Sequence, residues 1–478
     1  MKKTERQKSE SMSLRPGAGK LRNRIYPVRL ERTLVSVLLL AVLFGGCSDK
    51  PEEERAESAL NRPNILLIMI DDLGYEAIGA YGGISYATPN IDRLAESGVR
   101  FNHAYSTPLC SPSRVQLMTG RYNNRNYDEW AVLEPDEISF GNLLQDAGYA
   151  TFVAGKWQLW GHDLLWPVEV PCCLHQGQTP TDAGFDDYLV WFLGNKGSRY
   201  ADPLLSMHVD DDSIYADSYG PDLLAGFISG AIETHVAQSP EQPFFGYYPM
   251  VLDHSPFEPT PDSASWNDDR HARDRAYFPD MVNYADKLVG QLIHKLEELG
   301  IRDNTLVLLT ADNGTPRGIE SRMQDGRTII GDKGRPTDGG THVPFIASWP
   351  GTIDGNRVSD ALVDFTDFLP SLVDAAGAQL PDDRVIDGLS FIPILRGDVA
   401  KTRDWVFTDY RPNFRLGEDG EPIFPPISYV QDQRFKLYED GRFFDLENDI
   451  LEEKPLETAA ADALAAKAAL QAVLDTML

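Results

Sequence analysis

Cysteine is scarce, with four in 478 residues. Two of the four, Cys172 and Cys173, are neighbours, where a bridge would be strained. The chain is therefore not a disulfide scaffold. Positive charge is also short: 44 Lys and Arg stand against 73 Asp and Glu, a net charge of −29. That balance argues against a nucleic-acid backbone as partner. An anion-binding site in such a chain must gather its few basic residues in one place. The apolar run LVSVLLLAVLF, Leu34 to Phe44, stops after 11 residues, where a membrane-spanning helix needs ~20. Core-forming material is not lacking. Hydrophobic residues make up 42% of the chain, enough for a large folded body.

The N-terminus is basic up to Arg32, then apolar, then ends in Gly45, Gly46 and Cys47. That order makes a secretory signal. LFGGC also resembles a bacterial lipobox in which Cys47 is lipidated, although Phe44 stands where such boxes usually carry Leu. The other reading is a plain cleaved signal with an incidental cysteine. Residues 1–47 are thus expected to be a signal segment and 48–61 a polar tether. The expected location is outside the cytoplasm, in a bacterial periplasm or on the outer membrane as a lipoprotein anchored through Cys47.

From Pro63 onward short apolar runs alternate with helical patterns, which predicts an α/β sheet flanked by helices. Asn64–Ile70 and Thr305–Ala311 are apolar on both faces and read as buried central strands. The first stops at Asp71-Asp72 and the second at Asp312-Asn313. Ala150–Gly155 stops at Lys156, and Pro243–Val251 stops before Asp253-His254. Ligands of open α/β sheets sit beyond the carboxyl ends of the strands. Four strands delivering acids, an amide, a lysine and a histidine to those ends favour one shared site. Thr88 reads as the N-cap of a helix with Pro89 in its first turn and Gly98 past its end. Met281, Ala285, Leu288, Leu292, Leu296 and Leu299 form the apolar face of another. A boundary is placed near Arg384: residues 62–384 form the catalytic α/β domain, and 385–478 a smaller α+β subdomain with a small antiparallel sheet and a C-terminal helix.

Asp71, Asp72, Asp312 and Asn313 are hard oxygen donors, suited to Ca²⁺ or Mg²⁺ and not to Zn²⁺. The stretch CSPSRVQLMTGR reads as a helix opening at Cys110, with Pro112 in the first turn and Gly120 at the end. A helix N-terminus stabilises anions, so a thiolate could stand there. A bare catalytic thiol suits neither an oxidising compartment nor a hard-metal site.

C-x-P-S-R followed by TGR resembles the signature of the type I sulfatases, within the alkaline-phosphatase-like superfamily. PNILLIMIDDLG, TPNIDRLAESGVRFNHAYS, AGYATFVAGKW, HSPF, ADNG and KGRPTDGGTHVPFIASWPG occur in that family's order and spacing, from about Arg62 to Gly351. FFDLENDILEE resembles the family's C-terminal subdomain. The resemblance implies a large mixed, mostly parallel sheet and a formylglycine made from Cys110 by a formylglycine-generating or anaerobic sulfatase-maturating enzyme. Its hydrate is a geminal diol: one hydroxyl attacks sulfur and displaces the alcohol, and the other collapses the diol to expel sulfate. Asp71, Asp72, Asp312 and Asn313 match the family's calcium ligands, the residue 110 diol completing the shell of one Ca²⁺ (Mg²⁺ being the lesser choice). Arg114 matches the group that holds a diol oxygen, Lys156 and Lys333 the sulfate-gripping lysines, and His254 the histidine near the leaving-group oxygen, a general acid. Two positions depart from the pattern. The family usually has GKWH where this chain has GKWQ, with Gln158. Many members have Arg where this chain has His342. Both are expected to bear on substrate binding, His342 alternatively on helix packing.

The expected activity is hydrolysis of a sulfate ester, on a sulfated carbohydrate in view of the location. A phosphonate monoester or phosphodiester hydrolase of the same superfamily is the alternative, and a non-catalytic glycan-binding lipoprotein a third. Loops 167–187, 194–217 and 256–278 are candidate substrate walls. The last carries Arg270, His271, Arg273 and Arg275, which would either meet a second sulfate or a uronate or lie on a solvated face. Trp157, Trp160, Trp166, Trp191 and Trp266 would stack on sugars or pack inside.

Overall fold

The computed structural model describes residues 62–161, 176–192, 197–208, 211–411, 426–457 and 460–478. Cys47, His162, Trp166, Cys172 and Cys173 lie outside the described residues. Sixteen strands are described, and ten of them make one sheet. In chain order these ten are β1 (Asn64–Ile70), β2 (Val99–Tyr105), β3 (Ala150–Lys156), β4 (Asp187–Trp191), β5 (Leu204–Ser206), β6 (Asp212–Ile214), β7 (Phe244–Pro249), β8 (Thr305–Ala311), β11 (His342–Ser348) and β12 (Arg357–Asp364). Between them, β9 (Glu320–Arg322) and β10 (Thr328–Ile330) form a separate hairpin. The sheet order is β12-β2-β11-β8-β1-β7-β3-β4-β5-β6. β1 runs parallel to β7 and β8, and β3 runs parallel to β7 and β4. β11 is antiparallel to both its neighbours. The sheet is thus mixed and mostly parallel, as the family resemblance implies.

The two strands read as central are neighbours. Every side chain of β8 is buried, and so is every one of β1 after Asn64. Such two-sided burial is what a doubly covered parallel sheet requires. The helix Gly220–Gln238 packs on β3 and β7, and the helix Phe278–Glu298 packs on it in turn. In that second helix Met281, Ala285, Leu288, Leu292 and Leu296 are fully buried, as their spacing predicts.

Two local expectations change in the fold. Thr88 does precede the helix Pro89–Glu96, but its hydroxyl makes no capping bond. It accepts instead from Gly79 N at 2.8 Å, so a tertiary contact takes the oxygen that local geometry would have used. Gly98 serves close approach, not a left-handed cap: a Cβ there would stand 2.1 Å from Ala347 O.

The C-terminal part contains β13 (Val406–Tyr410), β14 (Ile427–Gln431), β15 (Phe435–Tyr438) and β16 (Phe443–Asp445), paired antiparallel in that order. The helix Ala461–Met477 covers β14 and β15. Phe407, Val430, Leu437, Leu470 and Leu474 form its core.

Candidate active site

In-register pairing puts the acids together. Ile70 faces Ala311 at the last rung of the β1–β8 ladder, so Asp71 and Asp312 emerge side by side. Because β7 lies next to β1 and β3 next to β7, His254 and Lys156 reach the same rim. Asp72 takes a left-handed turn, φ 66°, as the chain leaves β1. Asp tolerates this region better than most residues. Its amide then donates to Asp312 Oδ1 at 3.0 Å. Gly155, at φ 140°, lets β3 lie against β7, since a Cβ would come 1.8 Å from Pro249 O.

Basic residues gather on these acids, as an acidic chain with an anion site requires. Lys156 Nζ donates to both oxygens of Asp71, at 3.0 and 2.8 Å. Arg114 donates from Nε and Nη2 to Asp312 Oδ2 at 3.1 and 2.7 Å, and from Nη1 to Lys156 O at 3.0 Å. Lys333 Nζ is hydrogen-bonded to Asp72 Oδ1. Burial opposes its charge, but Asp72 and the neighbouring acids outweigh this and raise its pKa. Cys110 opens the helix Cys110–Thr119, all of it buried, which ends at Gly120 in a left-handed cap at φ 67°. Arg114 lies one turn further along that helix. Cys110 Sγ is 3.9 Å from Gln158 Oε1, so the residue that departs from the family pattern touches the cysteine.

His254 Nε2 is 3.9 Å from Asp72 Oδ2, and its Nδ1 is hydrogen-bonded to Ser255 O. Burial, then Lys333, Arg199 and Lys156, push its pKa well below the usual histidine value. A neutral ring with Nδ1–H on a carbonyl presents the lone pair of Nε2 to the site.

Four acids, Asp71, Asp72, Asp312 and Asp253, are buried here. Lys156 bonds Asp71, Lys333 bonds Asp72 and Arg114 bonds Asp312, which leaves Asp253 over. Asp253 was not singled out from the sequence, and the only signal was its place before His254 at the end of an apolar strand. Both its carboxylate oxygens are buried without a hydrogen-bond partner among the described residues. Asn313 Nδ2 donates to Asp72 Oδ1 and Gly314 O, each at 2.9 Å, and Asn313 Oδ1 is buried with no hydrogen-bond partner among the described residues. Ligand atoms of Asp71, Asp72 and His254 lie within 4.8 Å of one another. Orphaned oxygens and surplus buried carboxylates are the features of a hard-cation site. The residues present therefore fit a divalent cation.

His342 is not brought to this cluster. Its Nδ1 is 3.2 Å from Asp338 Oδ1 and its Nε2 2.8 Å from Asn102 O, and its ring lies 4.1 Å from that of Tyr75. Burial opposes its charged form, yet Asp338 and these bonds raise its pKa. It packs a strand start, which favours the packing alternative over substrate binding. The basic run of loop 256–278 is also largely spoken for. Arg270 pairs with Asp202 and Asp217, His271 with Asp202, and Arg273 with Glu258, while Arg275 donates to Arg317 O. Trp157 and Trp191 are buried, and Trp160 and Trp266 are partly buried against the core, which favours packing for these four.

Comparison with known proteins adds an independent line. The family model described as Sulfatase matches residues 63–378, and that described as N-sulphoglucosamine sulphohydrolase, C-terminal, matches residues 332–474. N-acetylgalactosamine-6-sulfatase of Canis lupus familiaris is 30% identical over 467 residues, covering 86% of this chain and 84% of the relative. Arylsulfatase A of Homo sapiens is 32% identical over 379 residues, covering 72% and 70%. Among solved structures, BT4656 in complex with its substrate D-glucosamine-2-N,6-O-disulfate superposes with a TM-score of 0.65 at 21% identity, covering 87% of this chain and 97% of that one.

Proposed function

Since the chain belongs to the sulfatase family and is a sulfuric ester hydrolase, we propose that it removes sulfate from a carbohydrate outside the cytoplasm, using a formylglycine made from Cys110 and a bound Ca²⁺. The observation that carries this reading is the meeting of Cys110, Arg114, Lys156, Lys333 and the acids of β1 and β8 at one rim of the sheet. What the relatives act on supports a carbohydrate. One is named for an N-acetylgalactosamine sulfate, and a structural neighbour is described with a disulfated glucosamine. Export, and a lipid on Cys47, rest on the N-terminal sequence alone.

Asp71, Asp72, Asp312 and the free Oδ1 of Asn313 would hold the cation. When bound it supplies Lewis-acid polarisation of a sulfate oxygen and lowers the pKa of the attacking oxygen. Formylglycine supplies a hydrated aldehyde, with one oxygen to attack sulfur and a second to expel the product. The chain's own groups do the rest. Arg114 is locked by two bonds to Asp312 and is pre-set against charge at residue 110. Lys156, held on Asp71, and Lys333, held on Asp72, bring two cations to the sulfate. Burial and the nearby cations favour the neutral ring of His254, so Nε2 would first take up a proton, from solvent or from the attacking hydroxyl, and then pass it to the leaving alcohol.

The test compares sulfate release from aryl sulfates and sulfated sugars with hydrolysis of a phosphonate monoester, using the full chain. Sulfate esters should be preferred, and both Cys110→Ala and chelation of divalent cations should abolish turnover. Faster hydrolysis of the phosphonate would replace this reading with the phosphonate monoester hydrolase alternative.

A further inference from the structure

Arg199 is 6% exposed, and its guanidinium has neither a hydrogen bond nor an ion pair among the described residues. Its Nη1 is fully buried and unpartnered. The guanidinium carbon lies 4.0 Å from the centre of the Trp191 ring and 5.9 Å from that of Tyr200. Stacking on aromatic faces recovers only part of what a guanidinium loses when it leaves water. A buried charge without a counter-charge or hydrogen bonds is one of the more unfavourable arrangements in a folded chain. The surrounding cations are not left this way. Arg270, His271 and Arg273 each have an acid; Glu258, the acid whose titration feels Arg199, gives its Oε1 to Arg273 at 3.1 Å, and its buried Oε2 makes no hydrogen bond to Arg199 among the described residues.

The platform under Arg199 belongs to the active-site rim. Trp191 ends β4 directly opposite Lys156 in the parallel ladder, and its Nε1 is fixed by Gly197 O at 3.0 Å. The Tyr200 hydroxyl is shared between Val251 O, at 2.9 Å, and His254 O. Arg199 therefore stacks on the ring that faces Lys156 across the ladder, and beside the tyrosine that binds the His254 carbonyl. Its charge is felt by His254. Arginine is suited to carboxylate and sulfate oxygens because its donors form a planar fork.

We propose that Arg199 is a specificity residue that binds a second anionic group, a carboxylate or a further sulfate, on the sugar carrying the scissile ester. This rests on the carbohydrate reading above. The sequence gives little hint of it, since "KGSRY" reads as an ordinary loop and the basic run at 270–275 draws attention instead.

The test measures kcat and KM for wild type, Arg199→Met and Arg199→Lys on four probes: an aryl sulfate, a monosulfated hexosamine, a disulfated hexosamine, and a monosulfated disaccharide with a uronate. Wild type should prefer one of the two doubly anionic sugars to the monosulfated one, and which of them it prefers separates sulfate from carboxylate. Arg199→Met should lose ~30-fold or more in kcat/KM on that sugar, beyond any loss on the aryl sulfate and mainly through KM. Arg199→Lys should recover part of it. Equal losses on all four probes, or no wild-type preference for a second anion, would overturn the proposal. Wild type that cleaves the aryl ester but none of the sugars would instead overturn the carbohydrate reading on which it rests.

Discussion

Gln158 occupies a position next to Cys110 where a base would be useful, and it cannot be one. Its Oε1 is 3.9 Å from Sγ, and its backbone sits at φ 54°, so the side chain is held there by an unusual turn. An amide donates and accepts hydrogen bonds but does not take a proton at neutral pH. General-base assistance is typically worth about 10²–10⁴-fold, so an enzyme lacking it here must draw it from another group. Buried carboxylates such as Asp312 are the available oxygens. Gln158→His is therefore expected to leave sulfate release no faster, while Gln158→Ala should weaken substrate binding. Rapid-quench kinetics with a good leaving group separates the two half-reactions. A burst of alcohol followed by slow sulfate release in the wild type, relieved by Gln158→His, would show that the family histidine is simply missing.

At the level of elements, the C-terminal sheet holds the loop that carries Lys333. Tyr410 OH, at the end of β13, donates to Gly334 O at 2.9 Å, and Gly334 N donates to Pro108 O at 2.8 Å beside the Cys110 helix. On β15, Lys436 is fully buried, pairs with Glu452 Oε1 at 2.9 Å and donates to Pro336 O. Glu452 Oε1 also accepts from Asp338 N at 3.0 Å. Removing one partner of a buried pair costs about 3–5 kcal/mol, because the other charge stays buried. Lys436→Met should lower stability by about that much in urea unfolding, and the double variant with Glu452→Gln should recover most of it. A second junction gives a pH signature. Asp364, at the end of β12, accepts from Gln116 Nε2, Thr366 N and Thr366 Oγ1, all on Oδ1. Burial raises its pKa, opposed by Arg403 and reinforced by the neighbouring Asp367 carboxylate. The folded-state value lies above the unfolded one of about 3.9, so the protonated form favours the fold. Its contribution to stability is full below pH ~4 and lost as pH rises through the raised folded-state value. Asp364→Asn keeps the acceptor and removes the charge. The melting temperature of the variant should gain on wild type as pH increases from 4.5 to 7, and a constant difference would contradict the shift.

Across the whole molecule, what was legible in the sequence is what strand chemistry alone determines. β1 and β8 are apolar on both faces, which only a doubly covered sheet position allows, and parallel pairing then forces their terminal acids together. Cys110, Arg114, Lys156 and Lys333 were legible because motif order carries them. Asp253 and Arg199 were not, because their meaning lies in being buried without partners, which no local pattern encodes. His342 was left between two roles for the converse reason: Asp338 and Asn102 O, brought to it by the fold, use both ring nitrogens and favour packing. The central claim is that residue 110 performs the chemistry as an oxidised cysteine. Peptide mass spectrometry on the active fraction tests it most directly. An aldehyde or its hydrate at position 110, with specific activity proportional to the converted fraction, is the predicted result. Full activity in protein whose Cys110 is an unmodified thiol throughout would contradict it.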